Sequence, residues 1–129
     1  MAENKALPAR RIHAASAAAA VANWDGYGAK AVSPETVDMA KRFAASIPSH
    51  MGAPEVSADP DGELSFDWEL GDNRRLSVSI SAAGRLAFVS VNGGQPRERG
   101  ALWFRGNFPH ELTAIASLPR GSHEDQRGA

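Results

Sequence analysis

The side chains of this chain that could do chemistry fall into a few groups, and their spacing sorts them. The four histidines, His13, His50, His110 and His123, are far apart and none has metal-ligand spacing such as two histidines four apart on a helix. Asp67 and Glu69, two apart in a strand, share one sheet face and could flank a scissile bond as paired acids do in glycoside hydrolysis; the commoner reading is a solvated face. Ser65, Ser77, Ser79 and Ser81 alternate with apolar residues and lack a nucleophile elbow, so they read as the outer side of a sheet. With no cysteine in the chain, thiolate nucleophiles, cysteine-ligated zinc and disulfides are excluded. No catalytic residue, metal or cofactor is therefore expected. The group that stands out is Arg97, Arg99, Trp103 and Arg105, guanidinium groups interleaved with an aromatic ring. Such residues anchor protein interfaces and also suit single-stranded nucleic acid. A formal net charge of −1 favours the protein, because nucleic-acid affinity rests on many phosphate contacts from a basic face.

A second distinctive string, Asn23-Trp24-Asp25-Gly26-Tyr27-Gly28-Ala29-Lys30, lacks both the phosphate-loop spacing and the dinucleotide fingerprint, and no strand precedes it. Trp24, Asp25, Gly26, Tyr27 and Gly28 read instead as a structural corner. Trp24 and Tyr27 are expected to pack under the helices, with Asp25 accepting hydrogen bonds from nearby backbone N–H groups.

The elements that position these residues follow from turns and periodicity. Pro60-Asp61-Gly62, Gly71-Asp72-Asn73 and Ala82-Ala83-Gly84 each end in a residue able to adopt positive φ, the mark of three-residue hairpin loops. Those turns pair Val56 with Phe66, Ala58 with Leu64, Trp68 with Leu76, Phe66 with Val78, Leu64 with Ile80 and Val78 with Phe88, and every pair is apolar. A one-residue slip would set apolar against polar throughout. Four strands are expected, over about 55–59, 63–70, 74–81 and 85–91, with Glu69 across from Arg75. Ala87, Val89 and Val91 make the fourth strand apolar on both faces, which implies that something covers its outer side. Residues 92–100 read as a loop and Ala101 to Phe104 as a short fifth strand.

Helices bracket the meander. The first is expected from Pro8 to about Ala22, with a stripe of Ile12, Ala15, Ala19 and Ala22. Ser33 caps the second, Pro34 and Glu35 open it, Pro48 ends it, and Val37, Ala40, Phe43, Ala44 and Ile47 face inward. A third opens at Asn107-Phe108-Pro109 and closes at Leu118-Pro119, carrying Phe108, Leu112 and Ile115. The fold class is α+β: two N-terminal helices, a four- or five-stranded antiparallel meander and a C-terminal helix, with the helices on one sheet face. Residues 1–119 form one domain and 120–129 a disordered tail. The Ala-rich run 14–22 is shorter than the ~20 residues of a membrane span and reads as a helix rather than a signal peptide. The absence of a disulfide framework fits a cytoplasmic protein.

These residues also carry a family likeness. The corner at residues 23–29, the helix opened by Ser33-Pro34-Glu35, Pro54-Glu55-Val56, Asp59-Pro60-Asp61-Gly62 and Phe66-Asp67-Trp68-Glu69 resemble small uncharacterised bacterial proteins. That family has a WDGxGA corner followed by an antiparallel meander. The resemblance spans about residues 20–118, and Asp67-Trp68 stands where a Glu-Trp pair is the commoner pattern. Members of such small families often sit beside mobile or defence-related modules, which implies a protein partner.

The expected function is a non-enzymatic protein–protein interaction module, antitoxin-like, immunity-like or an inhibitor of a defence complex, acting by occlusion or scaffolding through residues 92–106. An exposed strand edge offers a route to a homo-oligomer. One alternative is a small ligand-binding or hydrolytic domain with its site between the outer sheet face and the Trp24 corner. Another is nucleic-acid binding through Arg74, Arg75, Arg97, Arg99 and Arg105.

Overall fold

The computed structural model describes residues 2–117, with side chains from residue 6 onward. The expectations for Leu118-Pro119, His123 and the tail fall outside the described residues. The elements run α1 (Ala2–Ala18), α2 (Pro34–Ser46), a 3₁₀ turn (Ser49–Met51), β1 (Glu55–Ala58), β2 (Leu64–Gly71), β3 (Arg74–Ile80), β4 (Arg85–Asn92), β5 (Gln95–Trp103) and α3 (His110–Ala116). The strands form one antiparallel sheet in the order β1-β2-β3-β4-β5. This is the α+β architecture read from the sequence.

All six apolar pairs deduced from the turns are present in the ladder, as is Glu69 opposite Arg75. Gly62 and Gly84 take φ of 92° and 88° at the turn ends, as the hairpin geometry requires. The middle turn differs in detail: Asp72 and Asn73 are both left-handed, at 58° and 62°, which makes a two-residue loop. The expected third residue, Gly71, joins β2 instead, and a bulge between Glu69 and Gly71 absorbs it without moving the register.

The larger correction concerns residues 92–100, which are not a loop. Gly93 and Gly94, with φ of 62° and 84°, make a two-residue turn, and the chain returns as the nine-residue strand β5. Pro96 and three charged residues disguise the strand. An edge strand tolerates both, because one row of its backbone groups needs no partner and its side chains meet water. Arg97 is the extra residue of a bulge, lying between the pairs Val91–Pro96 and Ser90–Glu98.

Helix α1 starts at Ala2 rather than Pro8 and stops at Ala18 rather than Ala22. Ala2 to Leu7 contain strong helix formers, so the helix passes through Pro8 with the loss of one backbone bond. Its other end is decided by the corner: the Ala19 carbonyl accepts from the Val32 N–H at 2.9 Å, outside the helical pattern. Ile12 and Ala19 are buried, whereas Ala22 is exposed. Helix α2 has the predicted cap, Ser33 Oγ accepting from the Thr36 N–H at 3.1 Å.

The helices cover one sheet face, on which Leu64, Phe66, Leu76, Val78, Ile80 and Leu86 are fully buried. Phe43 of α2 sits at the centre, its ring 5.0 Å from Phe66, 5.3 Å from Phe108 and 5.7 Å from Phe104. Trp68 donates its indole N–H to the Gly52 carbonyl at 3.2 Å, which satisfies its one polar atom inside the core. Sequence periodicity does not anticipate Arg74, which is buried on this face and donates to the Ile115 carbonyl in the last turn of α3 at 3.3 Å. A cation at a helix C-terminus is favoured by the carbonyls that lack partners there.

Candidate functional site

The side of the sheet away from the helices has no covering element among the described residues, and the register lays its side chains out in columns. Strand β2 contributes Ser65, Asp67 and Glu69, with Glu63 just before it. Strand β3 contributes Arg75, Ser77 and Ser79, and β4 contributes Ala87, Val89 and Val91. Strand β5 contributes Arg99, Ala101 and Trp103, opposite Val89, Ala87 and Arg85. From β2 to β5 the surface passes from acidic, through hydroxyl, to apolar, and then to basic and aromatic. The period-two alternation of the strands produces each column, and the three tight turns between β2 and β5 bring the columns side by side.

The floor is made of small residues and is concave. A hollow of about 550 Å³ lies over Ser65, Ser77, Ser79, Ala87 and Val89, with Asp59 at one rim and Arg99 at the other. Two of its hydroxyls are already engaged: Ser65 donates to Asp59 at 2.5 Å and Ser77 donates to Asp67. Burial raises the proton affinity of the Asp59 carboxyl; the Ser65 bond opposes the shift, and the charges of Asp61 and Asp67 reinforce it. Glu63 is raised as well, by burial first and then by Asp61. Beyond the hollow on the same face, Arg75 grips Glu69 through two bonds of 2.6 and 3.1 Å to one carboxylate oxygen, which raises the affinity of the guanidinium for its proton.

Of the four residues assigned to partner binding, the structure sets Arg99 and Trp103 on the open face of β5, with Ala101 between them. Trp103 is 55% exposed, while its neighbour Phe104 turns the other way and packs on Phe43. Arg105 is exposed just past the end of β5. Arg97, at the bulge, borders a separate hollow of about 220 Å³ with Leu70, Arg74 and Ile115. Sequence reasoning placed Arg97 and Arg99 on a loop; both lie on the edge strand β5.

The corner is a knot of internal bonds. Asp25 Oδ1 accepts from the Tyr27 and Ala29 N–H groups at 2.8 and 3.1 Å, and Asn23 Oδ1 accepts from the Gly28 N–H at 2.6 Å. Trp24 is half-buried and donates its indole N–H to the Lys30 carbonyl at 2.8 Å. Gly26 and Gly28 take φ of 79° and 86°. Tyr27 does not pack under the helices: it is 93% exposed, because the bonds from Asn23 and Asp25 close the loop and leave its ring outside. The hollow has no wall from this corner.

The histidines are not gathered. His13 lies on α1, His50 in the 3₁₀ turn and His110 at the start of α3, each exposed. Among the described residues no three of His, Cys, Asp and Glu are grouped to hold a metal ion, and no helix is long and apolar enough to cross a membrane.

Fold and face together define a class, the α+β domains in which helices cover one side of an antiparallel meander and the other side stays open. Compared with protein-family models, with curated proteins and with solved structures, the chain matches none.

Proposed function

We propose that this protein is a non-enzymatic interaction module that binds another protein across β4 and β5 and acts by occlusion or scaffolding. One observation carries the reading: the apolar column of β4 stands uncovered on the open face, beside the half-exposed Trp103 and the Arg99 guanidinium. Apolar surface of this kind, rimmed by charge and containing a Trp and an Arg, is the composition of an interface centre. The likeness of the corner and first hairpin to the WDGxGA proteins supports a bacterial or phage setting, in which antitoxin-like, immunity-like and defence-inhibiting proteins work by such contacts.

The rival readings fit less well. The volume of the hollow lies within the range of small-ligand sites, but it is open along its length, and its serines and carboxylates are bonded to one another rather than aimed at a common point. For nucleic acid, two of the five arginines considered are committed elsewhere, Arg74 to the α3 carbonyl and Arg75 to Glu69.

The test is capture of partners from the native source with the wild-type protein and with R97A/R99A/W103A. Each of these side chains lies on or beside an edge strand, so the variant should keep the wild-type thermal transition. A partner retained by the wild type and lost by the folded variant is the expected result. Equal retention by both would remove this surface from the proposal.

A further inference from the structure

The geometry points to the chemistry of the partner: an amphipathic α-helix, seated along the β4 column, with cationic side chains on one flank and carboxylates on the other. This inference rests on the protein-binding reading above and narrows it to a structural element and a charge pattern.

The backbone argument selects a helix. β2, β3 and β4 are paired on both sides and the free row of the edge strand β5 points outward in the plane of the sheet, so a segment lying on the face gains no ladder bonds there and must satisfy its own N–H and C=O groups. A helix does so internally. A second sheet would require an apolar surface several strands wide, and here only β4, with Ala101 beside it, is apolar. The width agrees: β2 and β5 are three strand spacings apart, about 14 Å, and a helix with its side chains is about 10–12 Å across.

The floor is suited to being covered. Ser, Ala and Val leave the hollow empty of bulk, so large apolar side chains of the helix would fill it. The hydroxyls of Ser65 and Ser77 already donate to carboxylates, so covering them strands no donor. No buried side-chain nitrogen or oxygen among the described residues lacks a hydrogen bond.

Charge sets the flanks. The β2 side presents Glu63 and Asp67, Glu69 being paired with Arg75, and the β5 side presents Arg99. A helix with like charge on both flanks would meet repulsion at one wall, whereas a bipolar helix meets attraction at both, in one direction along the trough.

The experiment uses stapled helices of about 14 residues, four turns, sharing one Leu/Ile stripe. One set has Lys on one flank and Glu on the other, a second has Lys on both and a third Glu on both; binding to the full chain is read by fluorescence anisotropy. The bipolar helix is expected to bind at least tenfold tighter than either uniform one, and Val89→Asp should abolish that binding without altering the thermal transition. Arg99→Glu makes both walls acidic and should switch the preference to the Lys-flanked helix. No binding by any helix, equal binding by all three, or an unchanged preference in Arg99→Glu would overturn the inference. Failure here with capture still dependent on Arg97, Arg99 and Trp103 would leave the binding module standing and discard only its helical partner; loss of both would discard the module.

Discussion

Asp59 shows how a single residue belongs at once to a turn and to the open face. It directly follows β1, accepts the Ser65 hydroxyl and lines the hollow, and burial is the main reason its carboxyl holds its proton more tightly than usual. The folded state therefore binds that proton better than the unfolded chain does. Stability from this group is complete below the unfolded value of 3.8 and is lost as the pH rises through the higher folded value. Glu63 acts in the same sense. Asn at position 59 is neutral throughout, so thermal melts of wild type and Asp59→Asn from pH 3 to pH 7 should diverge, the wild type losing ground as pH rises. A constant difference would show that burial does not govern this carboxyl. At this scale the sequence exposed the alternation of Ser65, Ser77 and Ser79, because period two is a local property. It did not reveal that Ser65 and Ser77 donate to carboxylates, since Asp59 meets Ser65 only through a turn and Asp67 meets Ser77 only across strands.

Among the elements, β5 is the one the sequence concealed. Residues 92–100 read as a loop, because turn formers open the stretch and Pro96, Arg97, Glu98 and Arg99 carry no alternation of apolar residues, and strand periodicity is detectable only where one face is buried. The strand is held by its ladder with β4 and by a turn that depends on positive φ at both glycines. Gly94→Ala should therefore cost about 1–2 kcal/mol, the penalty of an L side chain in the left-handed region. Hydrogen exchange should quicken in β5 before it does in β2 or β3; uniform exchange would contradict a hairpin built on that turn. The hidden strand changes the site, because it converts a loop of arginines into a wall with Arg99 and Trp103 two residues to either side of Ala101. The corner is the converse case. Its glycines and Asp25 announced a tight, self-bonded loop, and the bonds are there, yet the same closure turned Tyr27 outward against the expectation drawn from its aromatic character.

For the whole molecule, the core converges on Phe43, which joins α2 to the sheet through Phe66 and to the segment leading into α3 through Phe104 and Phe108. Phe43→Ala should cost about 3–5 kcal/mol, a large part of the roughly 5–15 kcal/mol that stabilises a domain. Urea denaturation would measure it, and a loss below about 1 kcal/mol would mean that the aromatic cluster repacks around the gap. This one-sided core makes the open face possible: two helices and a short third suffice to bury one side of the sheet, and nothing described remains to bury the other.

By itself the sequence determined the register of β1 to β4, the cap of α2 and the facing of the large apolar residues of β2 and β3, because turns and alternation are written in neighbouring positions and one slip would have buried polar side chains. It also registered, in Ala87, Val89 and Val91, a strand too apolar for a solvated face. Only the tertiary structure decided that this column lies uncovered between a carboxylate wall and Arg99, that Arg74 is buried against α3, and that Trp103 rather than Phe104 faces water. Those outcomes depend on which elements stack on which face, and stacking is settled by the balance of contacts across the whole chain.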